Sequence, residues 1–253
     1  MLSEERHQII IDLLNANGAI TVADLVARFD VSEMTVRRDL KVLERQGHLQ
    51  RVHGGAVSSR GRSYEPPFLT RSGKNQSQKE RIGKLAASLV NNGDSIALDV
   101  GTTTLEFCRY LEVKNNLTII TPSFRAASHL AEQPGIRVIL TGGILRPGEL
   151  SMVGYLVECT FREFFVDKLF LGIGGIDLEA GLTEFNSEDA LVKKAMLRSA
   201  KEVIVVADAS KVGQIAFAAV APLDVVDILI TDDSLSPAVQ SKLEDLNIQV
   251  LIT

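Results

Sequence analysis

The sequence predicts an α/β protein in two parts. An N-terminal winged helix-turn-helix is expected over residues 1–58 and a linker over 59–79. A C-terminal domain built on a mainly parallel sheet then fills 80–253. Two observations carry this. Residues 32–58 combine a helical stretch with a basic outer face and a Gly-rich hairpin signal. Beyond the linker, short β-branched runs alternate with helical stretches.

At 253 residues the chain is long enough for two cores. Hydrophobic residues make up 45% and charged residues 23%, an ordinary globular balance, and no apolar run approaches the ~20 residues that span a bilayer. The start, Met1-Leu2-Ser3-Glu4-Glu5-Arg6, has no basic segment followed by an apolar one, so no secretory signal is expected. Cys108 and Cys159 match no metal-ligand spacing. They are expected to pack in a reducing cytoplasm, and no metal or cofactor is implied. The net charge of -5 is unevenly distributed. Eight basic and eight acidic residues balance over 1–60, so the acidic excess lies in 61–253, and the N-terminal basic residues gather from Arg37 to Arg60.

Taken in order, Ser3 is expected to cap a first helix with Glu4 and Glu5 in its first turn. Ile9, Ile10, Leu13 and Leu14 form its apolar stripe, and Asn17-Gly18 ends it. Thr21-Val22-Ala23-Asp24 reads as a capping box for a second helix that buries Val22, Leu25, Val26 and Phe29. Asp30-Val31-Ser32 makes a tight connection, with Ser32 capping a third helix. There Val36, Leu40 and Leu43 stand at i, i+4 and i+7 and face the core. Met34, Arg37, Arg38 and Lys41 lie opposite. An arginine so placed can take a guanine edge or a phosphate in the major groove, and Ser32 and Thr35 can bond phosphates. A merely solvated helix face is the alternative. The residues that follow favour the DNA reading. His48–Val52 and Ala56–Ser58 can pair as a wing around His53-Gly54-Gly55, with Arg51 at its edge and His53 at its tip.

Thr35-Val36-Arg37-Arg38-Asp39-Leu40, the later Gly47, and Arg51-Val52-His53-Gly54-Gly55 closely resemble the N-terminal signature of the DeoR family of bacterial transcriptional regulators. The match runs from near Arg6 through Gly55. The resemblance implies double-stranded operator DNA as the partner.

Residues 59–79 contain Pro66-Pro67 and much Gly, Ser and Gln, the composition of a connection, while Tyr64, Phe68 and Leu69 are expected to dock it on a neighbour. Strands are expected at Ser95–Asp99, Leu117–Thr121, Arg137–Thr141, Lys168–Ile173, Glu202–Ala207, Ile228–Thr231 and Gln249–Ile252. Helices are expected at Thr104–Leu111, Phe124–Glu132, Asp189–Ala200 and Pro237–Leu246. In a parallel sheet of this kind ligands sit beyond the carboxyl ends of the strands. The residues there are polar: Asp99-Val100-Gly101-Thr102-Thr103-Thr104, Thr121, Thr141-Gly142-Gly143, Gly174-Gly175-Ile176-Asp177, Glu188 and Asp208-Ala209-Ser210-Lys211. Gly101 allows close approach, the threonines offer hydroxyls and a helix N-terminus attracts an anion. Lys211 adds a cation, and Asp99, Asp177 or Glu188 suits sugar hydroxyls. Each piece alone is as well explained by turn geometry or a surface lysine. Together they point to a small phosphorylated polyol.

The Asp99…Gly101-Thr102-Thr103, Thr141-Gly142-Gly143, Gly175-Ile176-Asp177…Gly181-Leu182-Thr183 and Asp208…Ser210-Lys211 blocks look like the DeoR-type sensor domain. That resemblance implies a fold similar to ribose-5-phosphate isomerase and CoA transferases, and a phosphorylated sugar or sugar alcohol as effector. Thr121-Pro122-Ser123 departs from the Thr-Asn-Ser common in the family, which bears on which sugar is bound. The leading reading is therefore a repressor of carbohydrate-metabolism genes, a non-enzyme, working as a homodimer or homotetramer because one DNA domain reads too little sequence. The rivals are an isomerase or acyl-transfer enzyme using Asp99, Asp177 or Glu188 as base with Lys211 as electrophile, and an activator or nucleoid binder without ligand control.

Overall fold

Three helices, the second and third with side-chain caps, help build the first of two structural units, Met1–Tyr64 and Glu65–Thr253. The computed structural model describes residues 2–58, 61–112 and 114–253. Arg60, counted above in the basic cluster, lies outside them.

In the first unit, α1 (Ser3–Asn17) leads to β1 (Ala19–Thr21), α2 (Val22–Phe29), α3 (Glu33–Arg45), β2 (Leu49–Val52) and β3 (Gly55–Ser58). Ser3 is not the cap. Leu2 occupies that position, its backbone N–H donating to the Glu5 carboxylate at 3.0 Å, and Ser3 is already helical. Thr21 caps α2 by accepting from the Asp24 N–H at 3.1 Å. Asp30 turns the chain in the left-handed region at φ 50°, and Ser32 caps α3. Ile10, Leu14, Leu25, Val36, Leu40 and Leu43 form the core, with Val26 and Phe29 half-buried on its margin.

The wing is a three-stranded antiparallel sheet in the order β1-β3-β2. Its tip is the two-residue loop His53-Gly54, with Gly54 at φ 84°, because Gly55 pairs with Val52 and belongs to β3. Gly55 is required there. A Cβ would lie 2.1 Å from the Ile20 carbonyl oxygen of β1. Three-residue β1 is too short to show a period in sequence and forms because β3 offers an edge.

The second unit contains, in order, α4 (Phe68–Gly73), α5 (Gln76–Ser88), β4 (Ser95–Leu98), α6 (Thr102–Cys108), β5 (Leu117–Thr121), α7 (Phe124–Leu130), β6 (Ile136–Leu140), β7 (Ile144–Arg146), β8 (Ser151–Val153), α8 (Tyr155–Glu163), β9 (Val166–Leu171), β10 (Gly175–Asp177), β11 (Gly181–Glu184), α9 (Ser187–Ser199), β12 (Ala200–Val206), β13 (Ala218–Ala221), β14 (Ile228–Thr231), α10 (Pro237–Glu244) and β15 (Gln249–Ile252). All seven expected strands join one parallel sheet, ordered β15-β14-β12-β9-β4-β5-β6.

Alternation along these strands divides the interior into two cores. Leu169 and Leu171 face Val157, Phe161, Val192 and Met196 of α8 and α9. Phe170 faces Ile82, Phe107 and Leu130 of α5, α6 and α7, its ring stacked on Phe107 at 4.3 Å. The small antiparallel strands β10, β11 and β13 pack with the first core through Ile176 and Leu182.

The expected linker at 59–79 is only partly a connection. It carries α4 and the start of α5, ordered by Phe68, which is buried under the Arg125 guanidinium at 4.1 Å, and by buried Lys79. Sequence missed these helices because Gly73 and Asn75 break the pattern between them. Asn75 holds φ 53° there.

Candidate functional site

The outer face of α3 and the wing form one candidate surface. Met34 is 72% exposed, and Arg37, Arg38, Lys41 and His53 are exposed with it. Arg37 is held lightly by a surface bond from its Nε to Glu33 at 2.7 Å, while the side chains of Arg38 and Lys41 make no hydrogen bond or close ion pair among the described residues. Ser32 caps α3, as the sequence led us to expect, and Thr35 bonds it. The Ser32 hydroxyl accepts from the Thr35 N–H at 3.2 Å and bonds the Thr35 hydroxyl at 2.9 Å, so both serve the cap. Arg51 is likewise committed. Its Nε and its backbone N–H donate to the two oxygens of Glu44 at 2.7 and 3.0 Å, pinning β2 to the last turn of α3 and holding the Glu44 carboxyl below its ordinary value.

Sequence reading missed the ionic pin beneath this face. Asp39, on the buried side of α3, accepts from Arg6 Nε at 2.6 Å and Nη2 at 3.2 Å, and bonds His7 Nε2 at 2.9 Å. Burial works to raise the Asp39 carboxyl, but Arg6 and His7 together hold it below the usual aspartate value. The hydrophobic wheel gave no signal, since a charged residue at a core position is visible only through its partner on α1.

The second candidate site follows from strand order. The chain begins at β4, runs outward through β5 to β6, then returns to the other side of β4 with β9. The order reverses between β4 and β9, and beyond their carboxyl ends a crevice is expected. The residues there are Asp99 and Gly101–Thr104 after β4, and Gly172–Gly174 after β9. A Cβ on Gly172 would lie 2.7 Å from the Val100 carbonyl oxygen, so only glycine lets these two loops approach. Gly101, at φ 137°, opens α6.

Buried Asp99 accepts from the Gly172 N–H at 3.1 Å and from Lys193 Nζ. Lys193, on α9, also donates to the Gly172 carbonyl at 3.0 Å and sits 3.3 Å from Glu184. Burial pushes the Asp99 carboxyl up to about 6 in spite of the ammonium beside it. The same burial opposes the charge of Lys193, yet Asp99 and Glu184 keep it above its ordinary value. The second oxygen of Asp99 is buried without a hydrogen-bond partner. Neither Lys193 nor Glu184 was foreseen. Both lie far from Asp99 in sequence, on elements whose pattern speaks only of α9 and β11.

The structure sorts the sequence-predicted residues. Asp99, Gly101, Thr102, Thr103 and Gly174 lie around this cluster, since a Cβ on Gly174 would meet Glu184 Oε1 at 2.8 Å and the Phe185 ring at 3.1 Å. Lys211 Nζ stands 5.3 Å from the centre of that same ring. It has no hydrogen-bond acceptor among the described residues, and burial lowers its pKa despite nearby Asp208. The hydroxyls of Thr102 and Thr103 also lack a partner among the described residues.

Others already hold bonds or packed neighbours within the domain. Thr104 donates to the Gly101 carbonyl at 3.0 Å, and Thr121 accepts from the Ser123 N–H at 3.0 Å. Asp177 accepts from the Glu179 and Ala180 N–H groups at 3.0 and 2.9 Å, closing the turn between β10 and β11. Gly142 and Gly143 pack against Leu156, Val153 and Val157. Gly175 is fixed by the close Gln214 carbonyl, and Glu188 is exposed on the first turn of α9. Next to Lys211, Asp208 accepts from Asn75 Nδ2 at 3.0 Å, and buried Lys79 donates to the Lys74 carbonyl at 2.6 Å and to that of Arg71. Burial brings Lys79 down to about 8. Among the described residues no cluster of His, Cys, Asp and Glu suits a metal ion. No helix there is long and apolar enough to cross a membrane.

A winged helix-turn-helix followed by a doubly wound α/β domain with polar residues at its switch point is the architecture of a DNA-binding regulator with a sensor domain. Comparison with known families agrees. Residues 6–61 match the DeoR-like helix-turn-helix domain and residues 74–233 the DeoR C-terminal sensor domain, and the chain belongs to the DeoR family. It is 40% identical over 250 residues to the uncharacterized HTH-type transcriptional regulator YulB of Bacillus subtilis, covering 99% of this chain and 96% of that one. It is 33% identical over 250 residues to the glycerol-3-phosphate regulon repressor of Escherichia coli, covering 99% of each. Among solved structures, ribose 5-phosphate isomerase A of Methanocaldococcus jannaschii aligns over 55% of each chain at TM-score 0.41 and 22% identity.

Proposed function

We propose that this protein represses carbohydrate-metabolism genes and that a phosphorylated sugar or sugar alcohol controls its grip on operator DNA. α3 lies in the major groove with Met34, Arg37, Arg38 and Lys41 toward the bases and phosphates, and the wing brings His53 to the backbone or minor groove. Two or four copies act together, because one reading head specifies too few base pairs. The observation that carries the sensor reading is the set of polar groups without partners at the switch point. The free hydroxyls of Thr102 and Thr103 stand at the N-terminus of α6, and Lys211 has no acceptor. Donors of this kind suit a phosphate. The partnerless oxygen of Asp99 suits a sugar hydroxyl.

An enzyme reading is less well supported. Asp177, one candidate base, is held by a turn, and Asp99, another, is held by Lys193 and Gly172. The test is thermal unfolding against glycerol 3-phosphate, ribose 5-phosphate and hexose 6-phosphates, with the free sugars and inorganic phosphate as controls. An effector at about 100 times its Kd stabilises by about 2.7 kcal/mol. One sugar phosphate should shift the melt selectively and change operator affinity in a gel-shift titration. No shift across the panel, or turnover of a sugar phosphate, overturns the sensor reading.

A further inference from the structure

We infer that the apolar surface formed by the end of β6, the β7–β8 hairpin and the first turn of α8 is where a second copy of this chain docks. The inference rests on the homo-oligomer proposed above and names its face. Ile144 is 68% exposed, Tyr155 71% and Leu156 57%, with Leu140 and Leu145 also exposed. Contacts gather Ile144, Tyr155 and Leu156 at one corner of the domain, while Leu145, the next residue on β7, points to the other side of the hairpin. A Cβ on Gly142 would touch Leu156 at 3.6 Å, one on Gly154 would lie 4.0 Å from Ile144, and β7 pairs with β8 so that Ile144 faces Val153.

Ile144, Tyr155 and Leu156 alone expose on the order of 400 Å², within the ~300–600 Å² of the largest patch on a typical monomer. That is about half of the ~800 Å² that each partner buries in a standard interface.

Two further features select a second copy as occupant. In a twofold contact each residue meets the same surface on its mate, so any net charge on the patch repels itself. The segments Leu140–Leu145 and Gly154–Val157 contain no charged residue, and in the hairpin between them Arg146 is paired with Glu65 and Asp189 while Glu149 is buried. The patch also adjoins β6, the last strand of the sheet, which among the described residues pairs only with β5. Its sequence Ile136-Arg137-Val138-Ile139-Leu140 is apolar at all but one position and has no proline, and such an edge aggregates unless something covers it.

The experiment is sedimentation equilibrium of the full chain, wild type against Leu156→Glu and Tyr155→Ala, with Ile252→Glu as control. Ile252 is also an exposed apolar residue, but on β15 at the opposite edge of the sheet. Leu156→Glu should halve the assembled mass, and Tyr155→Ala should raise the dissociation constant on the order of 30-fold, the scale of a hot-spot residue. Circular dichroism should be unchanged and Ile252→Glu should behave as wild type. A wild type that stays monomeric, free and on operator DNA, sinks the oligomer reading itself. An assembled wild type whose Leu156→Glu and Tyr155→Ala variants assemble equally well, or which only Ile252→Glu dissociates, overturns the choice of face alone.

Discussion

Replacing Lys193 by methionine isolates the buried pair at the switch point. Lys193 and Asp99 are each no more than 2% exposed, so neither charge has water to fall back on. Met keeps most of the apolar stem and removes the ammonium. Asp99 then retains only backbone N–H groups, with one oxygen already without a partner. Breaking a buried pair from one side typically costs about 3–5 kcal/mol. Asp99→Asn should cost less, about 1–3 kcal/mol, because Lys193 keeps Glu184 and the Gly172 carbonyl. The double variant should recover part of the loss, a coupling of about 0.5–3 kcal/mol.

The pH dependence has a definite sign. With the ammonium gone, burial raises the folded-state pKa of Asp99 further above its ordinary 3.8, and already in the wild type burial brings it to about 6. A carboxyl raised in the folded state binds its proton more firmly there than when unfolded. The stability linked to that proton is full below the ordinary aspartate value and is lost as pH rises through the raised one. The Lys193→Met deficit should therefore be smaller near about pH 5 than near about pH 8. The assay is urea unfolding followed by far-ultraviolet circular dichroism, since the chain has no Trp. A Lys193→Met variant no less stable than Asp99→Asn, with a deficit independent of pH, would refute the account of this pair.

Three other perturbations probe the remaining claims. Arg38→Ala should weaken operator binding while leaving the melting temperature unchanged. A loss of about 1–3 kcal/mol confined to one base pair marks a base contact, and a salt slope lower by about one marks a phosphate contact; unchanged binding for both Arg37→Ala and Arg38→Ala removes α3 as the reading helix. Thr103→Val should blunt the response to the effector found in the melting screen and spare operator affinity, measured by titrating operator with and without that effector. Asp39→Asn should destabilise the first unit at neutral pH. Because Arg6 and His7 hold the folded-state pKa below its ordinary value against burial, that stability is present above the ordinary value and is lost as pH falls through the folded one. The wild type and Asp39→Asn should therefore converge in acid, and parallel acid melting curves would contradict the pin.

Local chemistry made much of this protein legible from sequence. Thr21 and Ser32 are caps because their hydroxyls reach backbone N–H groups three residues on, and Val36, Leu40 and Leu43 share a face because of helical period. The seven β-branched runs declare a buried parallel sheet for the same reason, since a strand covered on both faces needs apolar side chains throughout. Segments without a period of their own were not legible. β1 exists because β3 offers an edge, and α4 with the start of α5 is ordered by docking rather than by pattern.

The functional residues divide along the same line. Gly101 to Thr104 and Lys211 are readable because a strand-to-helix turn and a loop after a strand are local events. Only the tertiary structure decided that Thr104, Thr121 and Asp177 are committed to backbone groups, that Asp99 is answered by Lys193 ninety-four residues away, and that Asp39 is answered by Arg6 from another helix. A side chain's type declares what it can bond. Whether it is free to bond a ligand depends on which neighbours the fold brings within about 3 Å, and sequence spacing does not encode those distances.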